Sequence, residues 1–338
     1  MNIGEVARRC GVSRSTVSYA FSGKRAVSEP TRQLVLTVAR ELGYRPQVAA
    51  RTAGEPFART VGLVIPPAAE QLTEMQLGFV GAVIAAATRA DFDVLFSPSG
   101  TDHDRSFERI ATRRQLDGVI LMEIRLDDPR IERLRRAHIP FVTIGRTTRP
   151  QPVSSVDLDT AALVGQCVDH LADLGHRHIA LINRSTELVM SGYAPAHRAR
   201  DGFARATTCR RVEGVEFCCA DNDLAGESCV ETILRLYPQV TGVVTINEAA
   251  LPGIQRALTR AGLDVPQGFS ITGLVARQWA EQFHPPLTAI DVPAGELAAI
   301  AVRLLRERIA KPQTEPVREL LTPPIALRHS TGPAVARR

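Results

Sequence analysis

From Thr60 onward the chain alternates short apolar runs with amphipathic stretches, and this alternation constrains the fold more than any other feature. The apolar runs have the length of strands buried on both faces, and the stretches between them repeat apolar residues at helical spacing. We predict strands at 61–65, 92–96, 118–122, 141–144, 179–182, 215–219, 243–246 and 270–273. We predict helices near 78–89, 105–114, 129–137, 161–174, 199–206, 226–236, 249–261 and 294–310.

Strand, helix and strand repeated this often predict parallel sheets with helices on both faces. The strands are too many for one small sheet. The predicted fold class is therefore a small all-α helix-turn-helix head followed by an α/β body of two doubly wound parallel-sheet lobes, an architecture similar to periplasmic binding proteins. We expect the body at 59–338, with one lobe at about 59–148 plus 285–315 and the other at about 149–284 plus 316–330. Such lobes bind small molecules in the crevice at the carboxyl ends of their strands.

The excess positive charge lies entirely at one end of the chain. Residues 1–58 hold nine basic and four acidic side chains, whereas the other 280 residues hold 32 of each sign. A basic head on a neutral body indicates that the head meets a polyanion and that the body has another task.

Residues 1–45 have the pattern of a helix-turn-helix domain. Apolar residues repeat at helical spacing up to Gly11, Ser13 is placed to cap a second short helix, and Ser28 is placed to cap a third. The polar face of the second helix carries hydrogen-bonding side chains and no acid. Such a face suits the major groove, where donors and acceptors on base edges are read.

The sequence of this head closely resembles the lactose/galactose repressor (LacI/GalR) family of transcriptional regulators. The resemblance rests on IGEVARRCGVSRSTVS at 3–18, VSEPTR at 27–32 and ELGYRP at 41–46. It implies that Arg14, Ser15 and Tyr19 read base edges of double-stranded operator DNA. It also implies contacts mostly to phosphates, which position the protein, for Asn2, Ser13, Thr16, Ser18, Ser28, Thr31 and Tyr44.

Residues 46–58 form the linker. The resemblance implies that this segment is a hinge that becomes helical on operator DNA and inserts a leucine into the minor groove. Ala50 and Arg51 fit that pattern, Gln47 replaces the usual asparagine, and Ala53 stands at the wedge position. Because a methyl group unstacks bases less well than an isobutyl group, we expect weaker kinking or a more deformable central step. A plain flexible linker is the alternative.

The body carries further landmarks of the same family, at HLADLGHRHIALI (170–182), AGLDVP (261–266), PPLT (285–288) and RHST (328–331). The positions implied to contact the effector depart most from the family. Val275 replaces the usual acid and Ala199 the usual arginine, so a neutral monosaccharide is not a safe prediction. Two alternatives are left: the effector is an anion, or the protein has lost control by a ligand. The residues assigned to the effector cleft are Glu74, Met75, Gln76, Arg146, Arg198, Arg200, Asn247, Glu248, Val275, Trp279 and Phe283, the last two being equally consistent with core packing.

Enzymatic and membrane functions receive no support from the sequence. There are no nucleotide-binding, zinc-protease or serine-hydrolase motifs, and the six cysteines lack metal-binding spacing. We therefore predict no catalytic residues, no metal and no cofactor. The N-terminal residues lack the apolar core of a signal peptide and no run is long enough to span a bilayer, so we expect a cytoplasmic protein.

The predicted function is a sequence-specific DNA-binding transcriptional regulator, with repression as the expected effect. It is expected to bind a pseudo-palindromic operator as a homodimer, with a tetramer left open, and to respond to a small-molecule effector in the cleft. The alternative is a cytoplasmic small-molecule binding module or enzyme without operator-specific DNA binding.

Overall fold

The computed structural model describes residues 3–22, 25–42, 59–65, 72–97, 116–148 and 152–335. Two compact units make up the chain, Met1–Arg59 and Thr60–Arg338, called here the head and the body. No helix in the described ranges is long and apolar enough to cross a membrane. The predictions for Asn2, Tyr44, Gln47, Ala50, Arg51 and Ala53, and for a helix at 105–114, lie outside the described residues.

The described residues of the head form three short helices, as predicted. The first ends at Gly11, whose φ of +65° is accessible to glycine at little cost. Ser13 caps the second helix because its Oγ accepts the backbone N–H of Thr16 at 3.0 Å. The helices pack around a small core that includes Val6, Val17 and Val35. Their bounds are α1 (Ile3–Cys10), α2 (Arg14–Ser22) and α3 (Glu29–Glu41).

The described part of the body forms two six-stranded sheets, which confirms the two-lobe fold class. The first lobe has the strand order β2-β1-β3-β4-β5-β11, and the second has the order β7-β6-β8-β9-β10-β12. The recorded strand pairs are parallel except for β10 with β12. The strands are β1 (Arg59–Val64), β2 (Phe92–Ser97), β3 (Gly118–Leu121), β4 (Phe141–Ile144), β5 (Ser154–Leu158), β6 (His178–Asn183), β7 (Glu213–Cys218), β8 (Gly242–Thr245), β9 (Ser270–Val275), β10 (Thr288–Asp291), β11 (Arg318–Leu321) and β12 (Ile325–Ala326).

Helices cover both faces of the two sheets, as expected for parallel strands joined by crossovers. They are α4 (Glu74–Arg89), α5 (Pro129–Arg136), α6 (Thr160–Asp173), α7 (Thr186–Met190), α8 (Ala194–Arg210), α9 (Asp223–Leu236), α10 (Leu251–Arg260), α11 (Arg277–Gln282) and α12 (Ala294–Ala310). Helices α6 and α8 approach closely at Gly202, where an added Cβ would lie 2.2 Å from the carbonyl oxygen of Ala161. A glycine is therefore required for α8 to reach its position beside the cleft.

The predicted lobe boundaries were wrong at three places. Strand β5 pairs with β4 and so belongs to the first lobe, whereas β10 pairs with β9 and so belongs to the second. Helix α12 then returns to the core of the first lobe, and the chain crosses again between β11 and β12. The prediction placed breaks at loop-like composition near 146–152 and 284–286. The crossings are decided instead by strand pairing, and β5 and β10 have too many polar residues to stand out as apolar runs.

Candidate functional site

The polar face of α2 is the first candidate site. Arg14 and Ser15 are exposed and Tyr19 is half-buried. The guanidinium of Arg25 lies 5.9 Å from the ring centre of Tyr19. A Cβ at Gly4 would come within 2.9 Å of Arg14 Nη2, so the Arg14 side chain extends across α1. This face offers guanidinium, hydroxyl and phenol groups to a ligand outside the head.

Four of the hydroxyl groups that the sequence predicts to contact phosphates lie at helix N-termini, while Ser18 lies in the middle of α2. Ser13 Oγ is 2.8 Å from Thr16 Oγ1 at the start of α2, and Ser28 Oγ is 2.7 Å from Thr31 Oγ1 at the start of α3. The backbone N–H groups at such ends favour anions. Exposed Arg9 adds positive charge. The head therefore presents a surface that attracts polyanions.

A cavity of about 120 Å³ within the body is the second candidate site. It lies at the carboxyl ends of strands from both sheets, the position expected for α/β folds. Most of its lining side chains are apolar, as is usual for sites that take small organic ligands. The lining residues are Thr73, Met75, Gln76, Phe79, Met122, Glu123, Ile124, Ile144, Gly145, Asp157, Leu158, Thr160, Arg184, Tyr193, Pro195, Ile246, Leu274, Val292 and Leu297.

A group of charged side chains meets at one wall of this cavity, centred on Arg184. The Nε and Nη2 atoms of Arg184 donate to the two carboxylate oxygens of Asp221 at 2.8 and 2.7 Å. The same guanidinium lies 5.5 Å from the ring centre of Tyr193, whose hydroxyl donates to Glu123. Burial opposes the charge on Arg184, but the bonds to Asp221 outweigh it and raise the pKa of the guanidinium.

Two glutamates near Arg184 have raised pKa values. Burial raises the pKa of Glu123, and the nearby charge of Arg184 offsets only part of that effect. Burial likewise raises the pKa of Glu248, whose Oε2 accepts the backbone N–H of Ala276 at 3.1 Å. The backbone N–H of Met75, in the first lobe, also interacts with Glu248. Glu248 thus contacts both lobes.

Asp157 and Gln76 contribute polar atoms with unmet hydrogen-bonding capacity. Burial raises the pKa of Asp157 to about 6, although Arg198 and Arg146 lie 3.5 and 3.6 Å from its Oδ2. Within the described ranges Asp157 Oδ2 and Gln76 Nε2 have no hydrogen-bond partner. Both side chains line the cavity and are less than 10 % exposed.

Backbone hydrogen bonds tie the two lobes together beside the cavity. The N–H of Leu126 donates to the carbonyl of Gly192 at 2.7 Å, and the N–H of Ala194 donates to the carbonyl of Ile124 at 3.1 Å. Arg198 adds a side-chain link, from Nη2 to the carbonyl of Arg146 at 2.7 Å. A change in the angle between the lobes has to break or rearrange these contacts.

Of the residues that the sequence assigned to the effector cleft, the structure places Met75 and Gln76 on the cavity wall. Arg146 and Arg198 lie beside it, bonded to Asp157 and to backbone, and Glu248 approaches it from the second lobe.

The other assigned residues do not line this cavity. The assignment is corrected for Val275 at the end of β9, and for Trp279 and Phe283 at α11, because these side chains pack into the core of the second lobe. Glu74 is exposed at the start of α4, and its charge acts on Glu248. The remaining two are taken up by other groups: Arg200 Nε donates to Glu216 at 2.6 Å, and Asn247 Nδ2 donates to the carbonyl of Cys219 at 2.9 Å.

Glu123, Asp157, Arg184 and Tyr193 were missed by the sequence reasoning. Arg184 follows β6 directly and Glu123 lies two residues after β3, so the rule that ligands bind at the carboxyl ends of parallel strands could have pointed to both. Asp157 lies near the end of β5, a strand that was not predicted. Tyr193 precedes α8 and carries no signal of this kind.

A helix-turn-helix head and a body of two lobes with a cavity between them are the parts expected of a DNA-binding regulator that takes a small ligand. Residues 2–47 match the family model described as bacterial regulatory proteins, lacI family, and residues 168–331 match the periplasmic binding protein-like domain. The chain is 31 % identical over 346 residues to the HTH-type transcriptional regulator AglR of Rhizobium meliloti (strain 1021), covering 100 % of this chain and 96 % of that protein. The HTH-type transcriptional regulator CelR of Thermobifida fusca is 30 % identical, with 96 % of each chain covered.

Solved structures agree with this result. A transcriptional regulator CelR–cellobiose complex matches with a TM-score of 0.71 and 27 % identity, over 98 % of this chain and 99 % of that one. A lac repressor dimer bound to operator and an anti-inducer matches with a TM-score of 0.72, and at 22 % identity it supports the fold alone, over 98 % of this chain and 99 % of that one. The chain belongs to the lacI family of bacterial regulatory proteins, and it is a transcriptional regulator rather than an enzyme.

Proposed function

We propose that this regulator is a cytoplasmic repressor that binds a pseudo-palindromic operator as a homodimer and is controlled by a small molecule in the cavity of the body. The observation that carries the proposal is the exposed, acid-free face of α2 in a chain whose body contains a cavity. The wall of that cavity is mostly apolar and carries a few polar and charged side chains. Such a face can hydrogen-bond base edges in a major groove, and such a cavity can bind a small-molecule effector.

Base reading is assigned to Arg14, Ser15 and Tyr19, and Arg14 is expected to dominate. A guanidinium reaches both acceptors on the major-groove edge of guanine, and no other side chain at the start of α2 offers two N–H donors. The hydroxyls of Ser13 and Ser28 at the starts of α2 and α3, with Thr16, Ser18 and Thr31, are assigned to phosphates, as are Asn2 and Tyr44 from the family resemblance. From the same resemblance, the linker residues Gln47, Ala50, Arg51 and Ala53 are assigned to the minor groove.

A dimer is supported by an apolar surface on the first lobe. Leu77 and Ile84 lie two turns apart on α4 and are 53 % and 43 % exposed, and Leu95 on the neighbouring strand β2 is 49 % exposed. Between the two helical residues, an added Cβ at Gly81 would meet no atom within 4 Å, so this side of the helix is flat. Strand β2 is at the end of its sheet. An exposed apolar face of this kind suits packing against a second copy of α4.

Control by the ligand requires that it bind one arrangement of the lobes better than the other. The contacts that such a ligand would change are those between the segments 124–126 and 192–194, and the approach of Glu248 to Met75. In a dimer, rotation of one lobe alters the distance between the two heads and hence their fit to two half-sites.

The reading assignment is tested by footprinting the protein on the DNA upstream of its own gene, followed by affinity measurements for the protected site and for random DNA. Replacement of Arg14 by alanine should weaken binding to the protected site by roughly 10- to 100-fold and leave random DNA nearly unchanged. The matched control is Arg9→Ala, on α1, which should weaken both by a similar small factor. Equal binding of the Arg14→Ala protein and the parent to the protected site would show that α2 does not read it.

The dimer is tested by sedimentation velocity of the full chain. Ile84→Glu places a charge on the flat face of α4 and should shift the protein to monomer, whereas Met190→Glu, at an 82 % exposed methionine on α7, should leave the mass unchanged. A monomeric parent protein at micromolar concentration would refute the proposed surface. Repression is tested by transcription from the protected promoter, which should rise when the gene is deleted.

A further inference from the structure

The cavity wall carries one carboxyl group, that of Glu123, whose neighbouring cations are bonded to other carboxylates. Arg184 is the one basic residue among the described lining residues, and both its Nε and its Nη2 are bonded to Asp221. Arg130 also acts on Glu123, but its guanidinium bonds Asp128 at 2.9 and 2.6 Å. Glu123 is left with the hydroxyl of Tyr193 as its side-chain partner. A carboxyl group in such surroundings either holds a proton or attracts a cation.

One further polar atom on the wall lacks a partner among the described residues. Gln76 is 3 % exposed; its Oε1 accepts the backbone N–H of Thr73 at 3.0 Å, while Nε2 has no acceptor. Asp157 also lines the cavity, but it is paired with Arg198 and Arg146, whose nitrogens lie 3.5 and 3.6 Å from its Oδ2. Buried polar atoms without partners are rare in folded proteins, and in a cavity they mark where polar groups of a ligand fit.

The arginines nearest the cavity are not available to an anion. Arg198 donates to the backbone carbonyls of Arg146 and Thr147 at 2.7 and 3.3 Å. Arg146 is shared between Asp157 and Asp159, at 3.6 Å from each. An anionic ligand would therefore face carboxylates without a free guanidinium. The apolar walls also offer few partners to the many hydroxyls of a sugar.

We propose that the ligand of this cavity is a small organic amine with a largely apolar body and one hydrogen-bond acceptor. Its ammonium group donates to Glu123, its acceptor receives the Gln76 N–H, and its apolar part contacts Phe79, Met122 and neighbouring side chains. The assignment rests on the proposed function, because it takes this cavity to be the effector site.

The test compares matched probes that differ in one functional group. Calorimetry and thermal unfolding of the full chain at pH 8 are recorded with ethanolamine, 3-methoxypropylamine and 4-methoxybenzylamine. 4-Methoxybenzyl alcohol and 4-methoxybenzoate serve as the neutral and anionic counterparts of the last amine. At least one amine should bind and raise the Tm. Its neutral counterpart should bind at least tenfold more weakly, and the carboxylate should not bind.

Variants assign the effect to the cavity. Glu123→Gln keeps the shape of the side chain and should weaken the amine at least tenfold without changing the affinity for the alcohol. Glu216→Gln, at a carboxylate that bonds Arg200 and does not line the cavity, is the matched control and should leave the amine unaffected. Circular dichroism of each variant checks that it is folded.

The outcomes separate this proposal from the one on which it rests. Failure of all three amines, or equal binding of 4-methoxybenzylamine and its alcohol, overturns the amine proposal. If the same preparation still protects its upstream DNA, the proposed function stands and another ligand class must be sought. If the amine binds but no DNA is protected, the ligand class stands and the proposed function fails.

Discussion

The head and the cleft both depend on arginine, but they hold it in opposite ways. Arg9 and Arg14 of the head are exposed, whereas Arg184 and Arg198 of the body are partly buried and bonded to protein oxygens. A surface that meets a polyanion can keep its guanidinium groups hydrated until binding. A guanidinium inside a narrow cavity must be neutralised within the protein, because an unpaired buried charge costs several kcal/mol. The arginine charges of the head are therefore available to a ligand, whereas those of the cleft are neutralised by protein oxygens and stabilise the fold.

The largest effect expected from this contrast follows removal of Arg184. Arg184→Met leaves the carboxylate of Asp221 in a mostly buried position without its partner, so the free energy of unfolding should fall by about 3–5 kcal/mol. The measurement is urea denaturation of the full chain, followed by a probe of the body. Adding Asp221→Asn should recover more than half of the loss.

Arg200 supplies the matched control for that experiment. Its side chain is 39 % exposed and its partner Glu216 is 22 % exposed, so Arg200→Met should cost less than about 1 kcal/mol. Equal losses of unfolding free energy in Arg184→Met and Arg200→Met would show that the cleft arginine stabilises the fold no more than the surface arginine does.

The next largest effect concerns Asp157 and depends on pH. Its pKa is raised from 3.8 to about 6, so the folded state favours the protonated form; that contribution to stability is present below about pH 4 and is lost as the pH rises through 6. Asp157→Asn imitates the protonated form. The variant should match the parent at pH 4 and exceed it at pH 8, by about 3 kcal/mol at most. Denaturation at both pH values measures this, and a variant less stable than the parent at pH 8 would contradict it.

A smaller effect is expected in the head, where Ser13 caps α2. Ser13→Ala removes the acceptor for the Thr16 N–H, at a cost of about 1 kcal/mol. Amide hydrogens of α2 in the full chain should then exchange roughly fivefold faster, while those of the body keep their rates. Ser15 is unsuitable as a control because its Oγ lies 2.7 Å from Ser13 Oγ. Ser18→Ala, further along α2, is the control and should not accelerate exchange.

The smallest effect concerns the Arg8–Glu5 pair on α1. Its side chains are 77 % and 41 % exposed, so Arg8→Ala should change the stability of the head by less than about 0.5 kcal/mol. The same exchange measurement serves, and a loss as large as that of Arg184→Met would show that charge in the head is also structural.

Prediction from sequence succeeded best where the signal is local. The three helices of the head follow from apolar spacing and from the caps at Gly11 and Ser13. The spacing and the caps are local signals, because the residues that interact are at most four positions apart. The two-lobe body follows from repetition of strand and helix. The lobe boundaries failed because pairing of β5 with β4 and of β10 with β9 is a contact between distant parts of the chain.

The cleft shows the same limit in its side chains. Met75 and Gln76 were identified, whereas Trp279 and Phe283, for which cleft and core were both left open, pack into the core of the second lobe. Arg200 was expected near the ligand and bonds Glu216 instead. An arginine or an aromatic side chain in a sequence does not reveal its partner, because the partner is chosen by packing.

The sequence by itself determined the class of this protein: its basic head with a capped second helix, and the α/β repetition of its body, are encoded in short-range patterns of polarity and charge. The tertiary structure alone decided which strands share a sheet and which charged groups meet. Arg184 and Asp221 are 37 residues apart and Glu123 comes from the other lobe, so only folding brings them to one cavity wall. Desolvation then sets their pairing and their pKa values, and desolvation is a property of the assembled structure rather than of any segment.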